Sequence, residues 1–388
     1  MKEIYLDNSA TTPLSPAAKA AMTAAMEVYG NPSSLHAVGN RANDLLESAR
    51  REIALTFGVR RPEPGEIVFT AGGSEGDNLA AIGTAFAKPR RRGGRIVTTN
   101  SEHPGLDNAL KMLEQQGFEV VRVPTAGGVL DLDRLLAAVN EKTFLVSVMT
   151  VNNETGARYD VESAFAAVKA RRPEIVTHTD AVQAYLREPL DPKKMNADLV
   201  TVSAHKIHGP KGVGALYVSS AARKRRDLVP VLLGGGQEAG FRAGTENLVG
   251  IAGFAAAAKE GFATMRADGE HLTRLRDLAE DLLRDLPLRV NRPLGARVPH
   301  ILNLTVPGIR GETLLHALSA RGICVSTGSA CSSHSPRPSA ALAAFGLPAD
   351  EIGSSIRVSF SAWNTEDDVR ALADALREET GRLVRIQR

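Results

Sequence analysis

The sequence predicts an α/β protein in which a mostly parallel central sheet is covered by helices, with a smaller α+β domain beside it. Three observations carry this. From Glu66 to Val218 short β-rich runs alternate with longer segments of helical period, the rhythm of strands joined by crossover helices. Beyond about Asn247 that rhythm gives way to a long alanine-rich helical stretch and a few scattered strands. At 388 residues and 43% hydrophobic composition, the chain suits one large domain and a smaller one better than a single unit.

In chain order, strands are expected at Glu66–Thr70, Arg95–Thr99, Glu119–Val123, Thr143–Val148, Ile175–His178, Asp198–Val202 and Gly214–Val218. Each is a short β-branched run, and helical segments separate most of them. The second region is expected to hold strands near His300–Thr305, Ile323–Ser326 and Ile356–Ser359, with helices around Glu312–Ala320 and Glu366–Arg385. This places residues 16–246 in the large domain, and residues 1–15 with 247–388 in the small one.

The formal charge of +3 is small for this length and implies neither a nucleic-acid nor a membrane partner. The one dense basic run, Lys88 to Arg95, is flanked by glycines and reads as a solvated loop. Two cysteines, Cys324 and Cys331, supply neither a disulfide framework nor a Cys-x-x-Cys clip. A reducing compartment is expected. The N-terminus carries no apolar signal segment and the chain no apolar run long enough to span a bilayer, so a soluble cytoplasmic protein is expected.

Ligands of such sheets collect beyond the carboxyl ends of the strands, and the residues there are unusual. After the first strand comes Gly72-Gly73-Ser74-Glu75-Gly76-Asp77, whose glycines free a turn and whose Ser74 and Asp77 predict the N-cap of the next helix. Open donors at a helix start bind phosphate. After the second strand, Glu102-His103 brings an imidazole to the same rim. It reads either as a ring stacked on an aromatic cofactor or as an ordinary helix-start histidine. The fourth strand ends in Asn152-Asn153-Glu154-Thr155, a polar tetrad that needs partners. The fifth ends in Asp180, whose partner is either a cofactor cation or a structural arginine.

The most informative block is Ser203-Ala204-His205-Lys206-Ile207-His208-Gly209-Pro210. A lysine between a β-branched strand and a Gly-Pro turn is where a pyridoxal 5′-phosphate Schiff base needs its amine. Seen with Asp180, the cofactor reading is much harder to dismiss. Cys324 sits in an apolar strand-like run and reads as a small buried hydrophobe. Cys331 sits in a long Gly- and Ser-rich stretch, Ser326 to Pro336, that cannot be packed core. It reads as a nucleophile or as an incidental thiol.

These residues resemble the cysteine desulfurases of the NifS and IscS type, within the class V aminotransferase group of fold-type I pyridoxal phosphate enzymes. The resemblance runs over nearly the whole length. Its landmarks are Leu6-Asp7-Asn8-Ser9-Ala10-Thr11-Thr12-Pro13, Gly30-Asn31-Pro32-Ser33-Ser34, Gly72-Gly73-Ser74-Glu75, Glu102-His103, Asn152-Asn153-Glu154, Asp180 with Gln183, Ser203 to Gly212, Arg242-Ala243-Gly244-Thr245, Ser329-Ala330-Cys331-Ser332 and Ser354-Ser355-Ile356-Arg357.

The resemblance implies a role for each position. Lys206 holds pyridoxal 5′-phosphate, Asp180 partners the pyridine nitrogen, Gln183 donates to the phenolic oxygen, and His103 stacks on the ring. Gly73, Ser74, Ser203 and His205 hold the phosphate, with Thr245 arriving from the other subunit of a homodimer. Arg357 clamps the carboxylate of L-cysteine with Asn153 beside it, and Cys331 carries the persulfide. No metal is implied on the enzyme itself beyond transient ligation of an Fe–S cluster by Cys331. The implied activity is removal of sulfur from L-cysteine to give L-alanine, for iron–sulfur cluster assembly or tRNA thiolation.

Two departures stand out. The phosphate turn has Gly73-Ser74 where the family often has Ala-Thr, which keeps the hydroxyl. The chain stops at Arg388 without the C-terminal extension by which IscS-type members hold a scaffold, so an IscU-like scaffold and a tRNA-thiolation enzyme are comparable acceptors. The long Cys331 loop favours direct transfer over a SufE-like activator. Rival readings are a selenocysteine lyase, another class V aminotransferase, or a non-catalytic scaffold. Retention of Lys206, Arg357 and Cys331 together argues against the last.

Overall fold

The computed structural model describes residues 3–88, 93–328 and 338–383. Strand β1 (Ile4–Tyr5) precedes helices α1 (Pro16–Met26) and α2 (Ala37–Thr56). Strand β2 (Ile67–Thr70) then leads into α3 (Gly73–Phe86), β3 (Arg95–Thr99) into α4 (Pro104–Gln115), and β4 (Glu119–Val123) into α5 (Leu132–Ala138). Next come β5 (Thr143–Ser147), α6 (Val161–Arg171), β6 (Val176–Asp180), β7 (Leu199–Ser203), β8 (Gly214–Val218) and α7 (Ser220–Arg225). The rest comprises α8 (Leu248–Leu283), β9 (Arg289–Val290), β10 (Ile301–Thr305), α9 (Gly311–Ser319), β11 (Ile323–Cys324), α10 (Ala340–Phe345), α11 (Ala349–Gly353), β12 (Ser355–Ser359) and α12 (Glu366–Arg382).

The large sheet has the order β2-β8-β7-β6-β5-β3-β4. Strand β8 runs antiparallel to both neighbours, and the remaining pairs are parallel. Because successive strand residues point to opposite faces, a sheet covered on both sides needs apolar residues at adjacent positions. Ile96, Leu145 and Leu199 join the core beneath α3 and α4, whereas Val97, Val146 and Val200 join the core that α1, α2 and the first turns of α8 cover. The mostly parallel sheet expected from the sequence is present.

A separate core gathers Leu272, Leu275 and Leu283 from the later turns of α8 with Leu304, Val358, Leu372 and Leu376. Its sheet has the order β12-β10-β9, and a two-stranded parallel pair joins β1 to β11. Helix α8 thus belongs to both cores. Among the described residues no helix is long and apolar enough to cross a membrane.

Candidate active site

The ends of β6 and β7 and the start of α3 open onto one cavity. Its walls include Gly73, Ser74, His103, Asp180, Ser203 and Lys206, together with Asn153, Gln183, His205 and Arg357. All of these were singled out in the sequence. Ser9, Ala10, Asp77, Met149 and Val182 complete the lining.

At the α3 end the expected cap differs. The cap residue is Gly72 at φ 153°, no side chain bonds to the first turn, and Ser74 lies inside the helix with Asp77 one turn in. A capping side chain would consume a first-turn N–H; a glycine leaves those donors for an anion. Side chains are also excluded by space, since a methyl on Gly73 would stand 2.8 Å from Val182 Cγ2. The Ser203 hydroxyl beside this turn is buried and has no hydrogen-bond partner among the described residues. An unpartnered donor next to open backbone amides suits a phosphate.

Lys206 closes a single 3₁₀ turn, Ala204–Lys206, directly after β7. Its Nζ donates to the carbonyls of Ser9 (2.5 Å) and Ala10 (2.8 Å). The same N-terminal segment is tied down by Gln183 Nε2 donating to Ser9 O (3.0 Å) and by Thr12 Oγ1 donating to His205 O (3.0 Å). Gly209 must be glycine because a methyl there would stand 2.8 Å from Ala204 O. Burial and the Lys206 charge push the His205 imidazole down to about 3, which keeps it neutral.

Asp180 is buried at the end of β6, where its Oδ1 accepts from Val182 N–H (2.9 Å). Among the described residues it makes no ion pair with an arginine, so that reading fails. Burial pushes its carboxyl up, while the charges of His103 and Lys206 oppose the rise. Asp77 lies behind it, with His178 Nε2 3.7 Å from its Oδ1. Burial and the repulsion of Asp180 hold Asp77 well above the usual carboxylate range. An anionic Asp180 facing a cavity is costly without a cation, and a pyridinium nitrogen fits. His103 is a helix-start histidine whose Nδ1 accepts from Gly105 N–H (3.0 Å) to cap α4, and the same residue lines the cavity.

Arg357 reaches the opposite wall from β12 and is only 1% exposed. Its Nη2 donates to Asp7 Oδ1 (2.7 Å) and its Nη1 to Asn153 O (2.9 Å), and its Nε has no partner among the described residues. The polar tetrad divides its labour. Asn152 is structural, accepting from Glu154 N–H and Thr155 N–H (both 3.0 Å). Asn153 lines the cavity, and Glu154 turns away to accept from Ser339 Oγ (2.6 Å).

Thr245 is exposed and lies outside the cavity lining of this single chain. Cys331 lies outside the described residues. Cys324 is half-buried rather than buried, and desolvation with the nearby Glu3 and Asp7 charges pushes its thiol up, away from the thiolate. The sequence reading missed the pairing of Asp77 with Asp180. Its signal was an acidic residue one turn after Gly73, on the face of α3 that packs on the sheet.

Comparison with known proteins places the chain in a family. The family described as "Aminotransferase class-V" matches residues 4–372. A cysteine desulfurase of Trichormus azollae is 42% identical over 387 residues, covering 99% of this chain and 94% of that protein. Cysteine desulfurase IscS of Methanosarcina thermophila is 40% identical, covering 97% and 92% respectively. The solved structure of a NifS-like protein superimposes with a TM-score of 0.91 at 35% identity, covering 98% of this chain and 100% of the other. The chain therefore belongs to the class V aminotransferase family, and within it to the cysteine desulfurases.

Proposed function

We propose that the chain holds pyridoxal 5′-phosphate on Lys206 and, as a homodimer, moves the sulfur of L-cysteine onto Cys331, releasing L-alanine. The observation that supports this is the meeting of Lys206, Asp180, His103 and Arg357 around one cavity. When bound, the cofactor supplies an exchangeable imine and a sink for the electrons left at the substrate Cα. The α3 amides with Gly73, Ser74, Ser203 and His205 hold its phosphate, assisted by the partner subunit's Thr245. Asp180 keeps the ring nitrogen protonated, Gln183 faces the phenolic oxygen, and His103 covers one face of the ring.

Arg357 fixes the substrate carboxylate, because a guanidinium fork meets a carboxylate with parallel hydrogen bonds. Asn153 keeps that fork oriented. Lys206 Nζ, once freed as a neutral amine, takes the Cα proton. The Cys331 thiolate then attacks the substrate sulfur. An S–S bond forms, the Cβ–S bond breaks and its electron pair goes to Cβ, which gains a proton; Cα takes back a proton from Lys206 Nζ, and L-alanine leaves. The persulfide passes to an acceptor protein, either an IscU-type scaffold or a tRNA-thiolation enzyme, in the cytoplasm and without direct contact with nucleic acid. Incubation with L-cysteine should yield L-alanine and a 32-Da adduct on the Cys331 peptide by mass spectrometry (mass of one sulfur, about 32 Da). An adduct on Cys324 instead would overturn the assignment.

A further inference from the structure

Glu154 is the member of the polar tetrad that the reaction above leaves unused. Its carboxyl is buried, yet it reaches no ligand-facing wall. Its backbone is fixed on both sides, by Asn152 Oδ1 accepting its N–H (3.0 Å) and by Asn303 Nδ2 donating to its carbonyl (3.3 Å). A side chain held on so rigid a base can act as a fixed post.

Two chain segments meet at that post. Ser339, the cap of α10, donates its hydroxyl to Glu154 Oε2 (2.6 Å) while accepting from Leu342 N–H (3.1 Å). From the other direction Gly328 arrives buried at φ 118°, and a methyl on it would stand 3.2 Å from the same Oε2. Gly328 is set in turn by Ser326 Oγ donating to its carbonyl (3.0 Å), and Ser326 pairs backbone to backbone with Arg357. The chain therefore leaves Gly328 beside Glu154 without bonding to it, and returns at Ser339 to a hydrogen bond with its Oε2. Cys331 lies in the interval between.

We propose that Glu154 is a positioning residue for the sulfur-transfer half of the reaction: through Ser339 it anchors the point to which the chain returns after Cys331, beside the Gly328 turn that Ser326 ties to Arg357. The inference rests on the reading of Cys331 as the persulfide carrier. Burial pushes the Glu154 carboxyl up, opposed by the Ser339 hydroxyl and the Arg357 charge. The role separates two events, since the lysine, its cofactor and the substrate carboxylate are held by other residues.

The test uses purified holoenzyme variants and a single turnover with L-cysteine. Two signals are read: the absorbance change of the lysine-linked cofactor on substrate addition, and the rate of persulfide appearance on Cys331. Glu154→Ala should leave the absorbance change within about twofold and slow persulfide formation about tenfold or more, the scale of one lost buried hydrogen bond. Glu154→Gln, whose amide oxygen can still accept from Ser339, should recover most of that rate. Ser339→Ala should slow the same step without touching the first signal, and it serves if Glu154→Ala does not fold. Wild-type persulfide rates in both alanine variants would overturn the proposal, as would equal loss of both signals. Cys331→Ala is run alongside. If that variant still delivers sulfur, it is the reading of Cys331 that falls.

Discussion

Replacing Arg357 by lysine separates carboxylate recognition from every other part of the site. The guanidinium is oriented by Asp7 at 2.7 Å and Asn153 O at 2.9 Å, and its buried Nε has no partner among the described residues. It thus retains donors for a substrate carboxylate. Lysine keeps the charge but presents a point donor that cannot serve Asp7, Asn153 and a bidentate ligand together. At least one charge-assisted hydrogen bond is lost, about 1.5–3 kcal/mol, which corresponds to roughly 10- to 100-fold weaker binding. Arg357→Ala is the poorer probe, because it strands Asp7 beside an empty space and costs about 3–5 kcal/mol through that unpaired charge. The assay is titration of the cofactor absorbance with L-cysteine and with cysteamine, which has the same thiol and amine but no carboxylate. Arg357→Lys should weaken L-cysteine by the stated factor and leave cysteamine within about threefold. Equal losses for the two ligands would refute the role given to Arg357.

Other outcomes follow from the buried acids. Asp180→Asn should retain the lysine-linked cofactor yet slow L-alanine formation about 100-fold or more, as an uncharged partner cannot hold the ring nitrogen protonated. Asp77→Asn, which mimics a protonated carboxyl, should stay within about threefold of wild type in the same assay; a collapse would show that Asp77 works as an anion. Glu102 is pushed up from 4.5 to about 8 by burial, despite hydrogen bonds from Thr99 and Met149. Because its folded value lies above its unfolded one, stability is fully present below pH 4.5 and falls as pH rises toward 8, by on the order of 4 kcal/mol. Glu102→Gln should abolish that slope in urea unfolding measured at pH 5, 7 and 9, and parallel curves for the two proteins would count against it.

Much of this was legible because strand limits follow local pattern. The expected bounds of β3, β4 and β8 coincide with the observed ones, since short β-prone runs bounded by turn residues mark a strand's limits locally. Strand β6 runs two residues past its expected end, through Thr179 and Asp180. Their polarity reads as a loop in sequence, but here it faces a site. Strands β1 and β9 were missed because each is a two-residue pairing imposed by its partner, β1 by a strand more than 300 residues away. The contact between Asp7 and Arg357 is hidden for the same reason. No local rule couples residues 350 positions apart.

The N-terminal segment shows what that long-range coupling achieves. Strand β1 pairs with β11 in the small core, Asp7 meets Arg357, Ser9 and Ala10 receive Lys206 Nζ, and Thr12 accepts from the His208 N–H. A run of six residues thus touches both the group that fixes a substrate carboxylate and the amine that takes the neighbouring proton. A displacement of about 1 Å between reacting groups can cost on the order of 100-fold in rate, so their separation cannot be left to two independently packed cores. A single short stretch of backbone bridging both sets that separation directly.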